Sequence, residues 1–275
     1  MKKTGKKWIF RLAFAFFAVT ALVSGIKVFS ILQEYRAGEQ AAQQMQQYVV
    51  MEPTEAEKPA PETQETEGTQ DVAQPTEEPD TPAVTEPPVI YPQVDFEALL
   101  EENPDVVGWI LIENTNINYP IVQGTDNEYY VDHLVSGQKN AAGSIFMDFR
   151  NEPDFTDKNT VIYGHNMKNK SMFAHINEYR SQEAYEKRSM GKIMTPDGNF
   201  RFRIIAGYVA SLDDDAWQMD FENEAAYQKW LEAAVEKSFF DSGYEPDPEH
   251  RIITLSTCAY DFDDARYILV CRILE

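Results

Sequence analysis

Cysteine is nearly absent: Cys258 and Cys271 are the two in 275 residues. Two thiols exclude a disulfide-stapled miniature scaffold and any zinc site built on several cysteines. Basic side chains are in deficit, with 24 Lys and Arg against 46 Asp and Glu and a net charge of −22. A nucleic-acid binder needs clustered cations to displace counterions, so that class is excluded. Histidine is sparse, with four in the chain, which leaves few candidate proton carriers.

What charge there is changes sign along the chain. Residues 1–50 carry a net +5, residues 51–92 a net −10 and residues 93–275 a net −17. Three regions with different surroundings follow from that asymmetry. Residues 1–7 form a short basic tail with Lys2, Lys3, Lys6 and Lys7. Residues 8–32 are mostly apolar and uncharged apart from Arg11 and Lys27, long enough for a helix to cross a hydrocarbon core of roughly 30 Å. Lys27 lies near the outer end, where it can snorkel to the headgroups. The basic cluster favours a cytoplasmic N-terminus, with everything after Leu32 outside the cell. A cleaved signal peptide is the competing reading, but no small-x-small cleavage site follows the apolar core.

Residues 33–50, rich in Gln, Ala and Glu, are expected to continue as a juxtamembrane helix. Residues 51–92 are dominated by Pro, Glu, Thr, Gln and Asp. Such a stretch buries too little apolar area to offset its chain entropy, so it is expected to be a disordered acidic spacer that extends the reach of a tethered domain. Globular patterning resumes near residue 93. A short amphipathic helix is expected at residues 95–101, followed by strand-like runs at 107–112, 117–122, 143–147, 160–163, 191–195, 200–210, 251–257 and 266–274. Pro196-Asp197-Gly198-Asn199 reads as a hairpin turn. One long helical pattern covers residues 222–240, with Tyr227, Trp230, Leu231, Ala234 and Val235 at helical spacing. The fold class is mostly β: an eight-stranded barrel with peripheral helices, including an N-terminal helix and a long helix before the penultimate strand.

The C-terminal runs hold the chemistry. Two strands flank a short polar connection and fit an antiparallel pair, with Cys258 ending the first and Arg266 opening the second. Cys271 lies roughly 16 Å further along its strand on the apolar face. A Cys258–Cys271 disulfide is therefore geometrically poor, since bridged Cα atoms sit within roughly 7 Å. Cys271 reads as a small buried residue. Cys258 has a cation beside it, which favours thiolate over thiol. A thiol nucleophile also needs a proton carrier. His165 ranks first because it follows a buried-type strand and a glycine, whereas His133, His175 and His250 lie in polar loop contexts.

Thr254-Leu-Ser-Thr-Cys258, Tyr163-Gly-His165 and the downstream Arg266 together resemble the sortases, specifically their class B branch. Gly108-Trp-Ile110, Tyr119-Pro120, Asp126-Asn127 and Gly143-x-Ile-Phe146-x-Asp148 are similar to class B sequences too, so the resemblance covers about residues 94–275. It implies a sortase-type barrel and a cysteine transpeptidase. In that reading Cys258 attacks the carbonyl of a threonine in the C-terminal sorting motif of a surface protein. A thioester forms, and an amine from a peptidoglycan precursor or a pilin then resolves it. In that reading the residue types suit His165 to the proton transfers, and Arg266 to stabilising the oxyanion or binding substrate carbonyls alongside a backbone N–H. A bell-shaped pH–rate profile follows. Asn127, Tyr163, Ser256 and Thr257 are candidate substrate-binding residues, each equally readable as packing, and Asp148 as a turn stabiliser. No acidic residue is evident to orient His165.

No cofactor or metal is expected; the acidic runs at 213–215 and 261–264 lack calcium-loop spacing and read as solvated. Expected partners are surface proteins bearing a sorting motif, an amine acceptor and the membrane, and no nucleic acid. Two rivals stay open. A cysteine peptidase uses the same thiol chemistry, although papain-like chains place cysteine before histidine. A non-catalytic surface β-module needs no reactive thiol.

Overall fold

The computed structural model describes residues 4–50 and 90–274. The expected acidic spacer lies outside the described residues, apart from its last three. The elements, in chain order, are α1 (Thr4–Met45), β1 (Val49–Val50), β2 (Gln93–Val94), α2 (Phe96–Glu102), β3 (Val106–Ile112), β4 (Asn118–Val122), β5 (Ile145–Met147) and β6 (Asn159–Tyr163). They continue with α3 (Gln182–Glu186), β7 (Met190–Thr195), β8 (Gly198–Ala210), α4 (Glu224–Glu236), β9 (Ile252–Cys258) and β10 (Arg266–Leu274). Strands β3 to β10 close into a mixed eight-stranded barrel in the order β10-β8-β7-β3-β4-β5-β6-β9. The β4–β5 and β6–β9 pairs are parallel.

Alternation along the strands sorts side chains between two cores. Tyr267, Leu269, Cys271 and Ile273 of β10 fill the barrel interior with Ile253 and Leu255 of β9. Ile268 and Val270 point outward beneath α4, where Tyr227, Trp230, Leu231 and Ala234 cover them. The long helix is shorter at both ends than its apolar pattern suggests. Asn223 caps its start by accepting from the Ala226 N–H (3.0 Å), a bond that fixes extended backbone at the cap. At the other end the Phe239 N–H is diverted to the Gly207 carbonyl of β8 (2.8 Å).

Helix α1 has two halves. From Trp8 to Leu32 its described large apolar side chains are exposed, and the stretch is long and apolar enough to cross a membrane by length and composition. Beyond Leu32 the helix lies on the barrel. Gly38 approaches so closely that an added Cβ would sit 2.9 Å from the Ala142 Cβ and 3.0 Å from Asn140 Oδ1. Met45 is buried beside Trp109 and Val122.

The expectation of helix through residue 50 is corrected here. The helix stops at Met45 because Gln46 turns onto the barrel, exchanging two side-chain bonds with Asn118: Nε2 to its carbonyl and Oε1 from its Nδ2, each 2.7 Å. The β-branched Val49 and Val50 then pair antiparallel with Val94 and Gln93. Positions 50 and 93 therefore face each other.

Candidate active site

Strands β6 and β9 run parallel with Tyr163 opposite Ser256. Two further bonds carry the register past the strand end. The Gly164 N–H donates to the Ser256 carbonyl (3.1 Å), and the Thr257 hydroxyl donates to the Gly164 carbonyl (2.6 Å). His165 and Cys258 therefore emerge at the same level of neighbouring strands. On the other side of β9, Arg266 is the antiparallel partner of Cys258. All three line one open cleft of about 380 Å³, with Asn127, Val131, Phe146, Tyr163, Leu212, Trp217, Ser256 and Thr257. The register places them on the outward side of their strands, since Ile253 and Leu255 take the inward positions.

Gly164 has a steric reason to be glycine. A Cβ there would meet Ile145 Cδ1 at 2.4 Å and the Phe173 ring at 2.8 Å, both inside the barrel. Overpacking of a core costs about 1–3 kcal/mol. Gly164→Ala is therefore expected to lower the melting temperature and to displace His165, reducing turnover more than the loss of folded protein explains. Thermal melts beside active-site titration check this; full activity per folded molecule would contradict it.

The two thiols differ. Cys258 is half-buried and free, whereas Cys271 is sealed, and burial pushes its thiol pKa well up. The Cys258 carbonyl accepts from Asn166 Nδ2 (2.9 Å) and Asn177 Nδ2 (3.3 Å). These contacts fix the backbone on which the sulfur is mounted. Arg266 donates from Nη1 to the carbonyls of Asp264 and Ala265, each at 3.1 Å. Among the described residues no carboxylate pairs with it, so its charge faces the cleft unneutralised. The connecting loop is itself pinned, since Arg180 forks onto Asp261 at 2.9 and 2.8 Å.

His165 is oriented by a carbonyl instead of an acid. Its Nε2 lies 2.7 Å from the Val131 oxygen. A carbonyl only accepts, so Nε2 carries a proton and Nδ1 is left for proton exchange.

The substrate-binding candidates line the cleft, but their polar atoms are largely committed. The Ser256 hydroxyl accepts from Trp217 Nε1 (3.1 Å). The Tyr163 hydroxyl and Asn127 Nδ2 both donate to Asp148 Oδ2 at 2.8 Å. Asp148 is fully buried and also takes the Arg150 guanidinium, Nε at 2.9 Å and Nη2 at 2.8 Å. Burial alone would raise its pKa; the hydrogen bonds from Arg150, Tyr163 and Asn127 outweigh it and hold the carboxyl below its usual value. Burial first, then the Asp148 charge, pushes the Tyr163 phenol well up. Asp148 thus braces the cleft wall as well as the turn that follows it, where its Oδ1 accepts from the Arg150 N–H (3.1 Å).

Sequence reading did not single out Trp217, Leu212, Asn166, Asn177 or Val131. An apolar Trp217 just after the Asp213–Asp215 run was an available signal for the first. The others act through backbone carbonyls or simple adjacency, which leave no residue-type signature. Of the acidic runs, Asp214 pairs with Lys237 at 3.1 Å and Asp261 with Arg180.

A family model described as the sortase domain matches residues 110–274. The chain is 35% identical over 182 residues to sortase B of Staphylococcus aureus, covering 66% of this chain and 75% of that protein. It is 37% identical over 177 residues to sortase B of Listeria monocytogenes, covering 64% and 72%. Among solved structures, a Staphylococcus aureus sortase B–substrate complex is similar with a TM-score of 0.63 and 35% identity, over 66% of this chain and 85% of that one. Sortase B of Clostridium perfringens is similar with a TM-score of 0.62 and 34% identity, over 66% and 100%.

Proposed function

The chain belongs to the sortase family and is a cysteine transpeptidase with class B relatives; from that premise we propose that Cys258 is its nucleophile, His165 its proton carrier and Arg266 its oxyanion stabiliser. The observation that carries this is the shared cleft at the ends of β6, β9 and β10. The substrate is the C-terminal sorting motif of a surface protein, cleaved after threonine.

The Cys258 thiolate adds to the threonine carbonyl carbon, and the oxygen takes the negative charge. Arg266 is the strand partner of Cys258 and lines the same cleft, suited to that charge. Collapse breaks the C–N bond. The departing amine takes a proton from the His165 imidazolium, leaving a thioester on sulfur. An incoming amine, from a peptidoglycan precursor or a pilin, attacks the thioester and gives its proton back to His165. The thiolate leaves and the new amide is formed. Arg266 stays charged throughout and is no base.

Helix α1 supports membrane anchoring through residues 8–32. The basic residues before that stretch favour a single pass with the catalytic domain outside the cell.

Incubation of the full chain with a sorting peptide, with and without an oligoglycine amine, tests the proposal by intact mass. A thioester adduct on Cys258 and an amine-dependent ligated product are expected. Cleavage at equal rate without amine, and no ligation, would make the protein a peptidase.

A further inference from the structure

The imidazole of His165 depends on a carbonyl that belongs to a loop, and that loop is held from outside the barrel. Val131 ends a one-turn 3-10 helix (Tyr129–Val131), and its oxygen accepts from His165 Nε2 at 2.7 Å. The chain then runs through residues 132–143 and returns directly beneath it. Gly143 has φ +56°, and a Cβ there would lie 2.4 Å from the Val131 oxygen and 2.7 Å from the Tyr130 oxygen. The returning chain therefore passes close beneath the carbonyl that holds the histidine, with room for glycine and none for a side chain. The Ser144 N–H donates to the Tyr130 carbonyl (3.0 Å), and the Ser144 hydroxyl to the His133 carbonyl (2.8 Å).

Two supports fix this loop. The barrel side is tied by Asn103, whose Nδ2 donates to the Tyr130 hydroxyl (2.9 Å) and the Val135 carbonyl (2.8 Å). The far side is tied to α1. Glu34 Oε1 accepts from the Ala141 N–H (3.0 Å), and the Glu34 carbonyl accepts from Asn140 Nδ2 (3.0 Å). Asn140 passes this on: its N–H donates to the Asp132 carbonyl (2.8 Å), and its own carbonyl accepts from the Gly143 N–H (3.0 Å). Asn140 is buried, so its own bonds are shielded from competing water, whereas the Glu34–Ala141 bond lies at the surface. One helical turn on, Gly38 lets α1 lie against Asn140 and Ala142 at the distance of a missing Cβ.

We propose that Glu34 and Gly38, on the part of α1 that follows its apolar stretch, are positioning residues for His165, acting through the 132–143 loop and the Val131 carbonyl. This rests on His165 being the proton carrier. Neither residue lines the cleft, so neither touches substrate. Their effect is on the orientation and tautomer of the imidazole, where a misplacement of about 1 Å can cost on the order of 100-fold in rate. The helix that carries the apolar stretch is thereby mechanically continuous with the catalytic base.

The test uses the full chain in detergent micelles with a sorting peptide and an amine. Glu34→Ala removes one loop bond, Gly38→Leu wedges α1 off the loop, and Glu34→Gln keeps an acceptor oxygen for the Ala141 N–H. We expect kcat to fall roughly 10- to 100-fold in Gly38→Leu and less in Glu34→Ala, with KM within about twofold. Glu34→Gln should match the parent. The pH limb that His165 contributes should shift in both impaired variants. Side-chain nitrogen NMR should show loss of the single Nε2–H tautomer of His165. A folded Gly38→Leu chain with parent kcat, pH limb and tautomer overturns the proposal. So does a Glu34→Gln chain as impaired as Glu34→Ala. Should Gly38→Leu fail to fold, the Glu34 pair decides alone. His165→Ala separates the two levels: activity surviving it would remove the assignment of His165 itself, whereas an inactive His165→Ala beside a normal Gly38→Leu removes only the role of α1.

Discussion

Cys258→Ala is expected to abolish thioester formation and to lower transpeptidation by at least roughly 10⁴-fold, the scale on which deleting a catalytic nucleophile acts. No second thiol can take over. Cys271, on β10 between β8 and β9, faces the barrel interior with no exposure at all. Burial also keeps it protonated, and a thiol is a far weaker nucleophile than a thiolate. Cys258 sits half-buried at a strand end, so trimming its sulfur leaves no large internal void, and the melting temperature should stay close to the parent's. Cys271→Ala is the matching control: some stability is lost and turnover per folded molecule is kept. Intact mass after incubation with a sorting peptide reads both variants. An adduct on the alanine chain at Cys271, or residual ligation above the uncatalysed background, would refute the assignment of Cys258.

Arg266→Lys is expected to lower kcat by roughly 10²–10³-fold, the usual cost of removing an oxyanion donor, with a smaller change in KM. The substitution keeps the charge and discards the planar fork. In the parent, the carbonyls of Asp264 and Ala265 hold Nη1, which fixes the plane of the guanidinium beside its strand partner Cys258. An ammonium has no such plane and reorients on a flexible stem. Steady-state kinetics with a quenched sorting peptide and a saturating amine measure the effect. Parent turnover in the lysine chain would mean that positive charge alone suffices and that donor geometry contributes nothing.

Much of this was legible in the residues, for local reasons. The β9–β10 pair announces itself by apolar alternation on both sides of a short polar connection. From that alone Arg266 falls next to Cys258 and Cys271 falls far from it. The eight barrel strands follow from similar alternation and turn residues. What stayed hidden depends on groups that are distant in sequence or anonymous in type. The β1–β2 pair is two residues long on each side and joins positions far apart in the chain. The end of α1 at Met45 is set by Asn118, a contact that no helix pattern encodes. The partner that orients His165 is a backbone carbonyl, and every residue has one. Asp148 reads as a turn residue and does hold the turn at Arg150; its second role, in the cleft wall, emerges only when β5, β6 and the Asn127 loop converge on it.

The docking of α1 has a consequence for where the enzyme works. Residues 33–45 continue the helix as one rigid strut, roughly 20 Å long at 1.5 Å per residue. With residues 8–32 in the bilayer as proposed, the barrel is clamped to the side of that strut from Glu34 onward and held at a fixed height close to the lipid. Its zone of action would then be a thin shell next to the membrane instead of a wide sphere swept by a loose leash. A polypeptide that displays its cleavage point just outside the bilayer enters that shell; one that displays it deep in the wall does not.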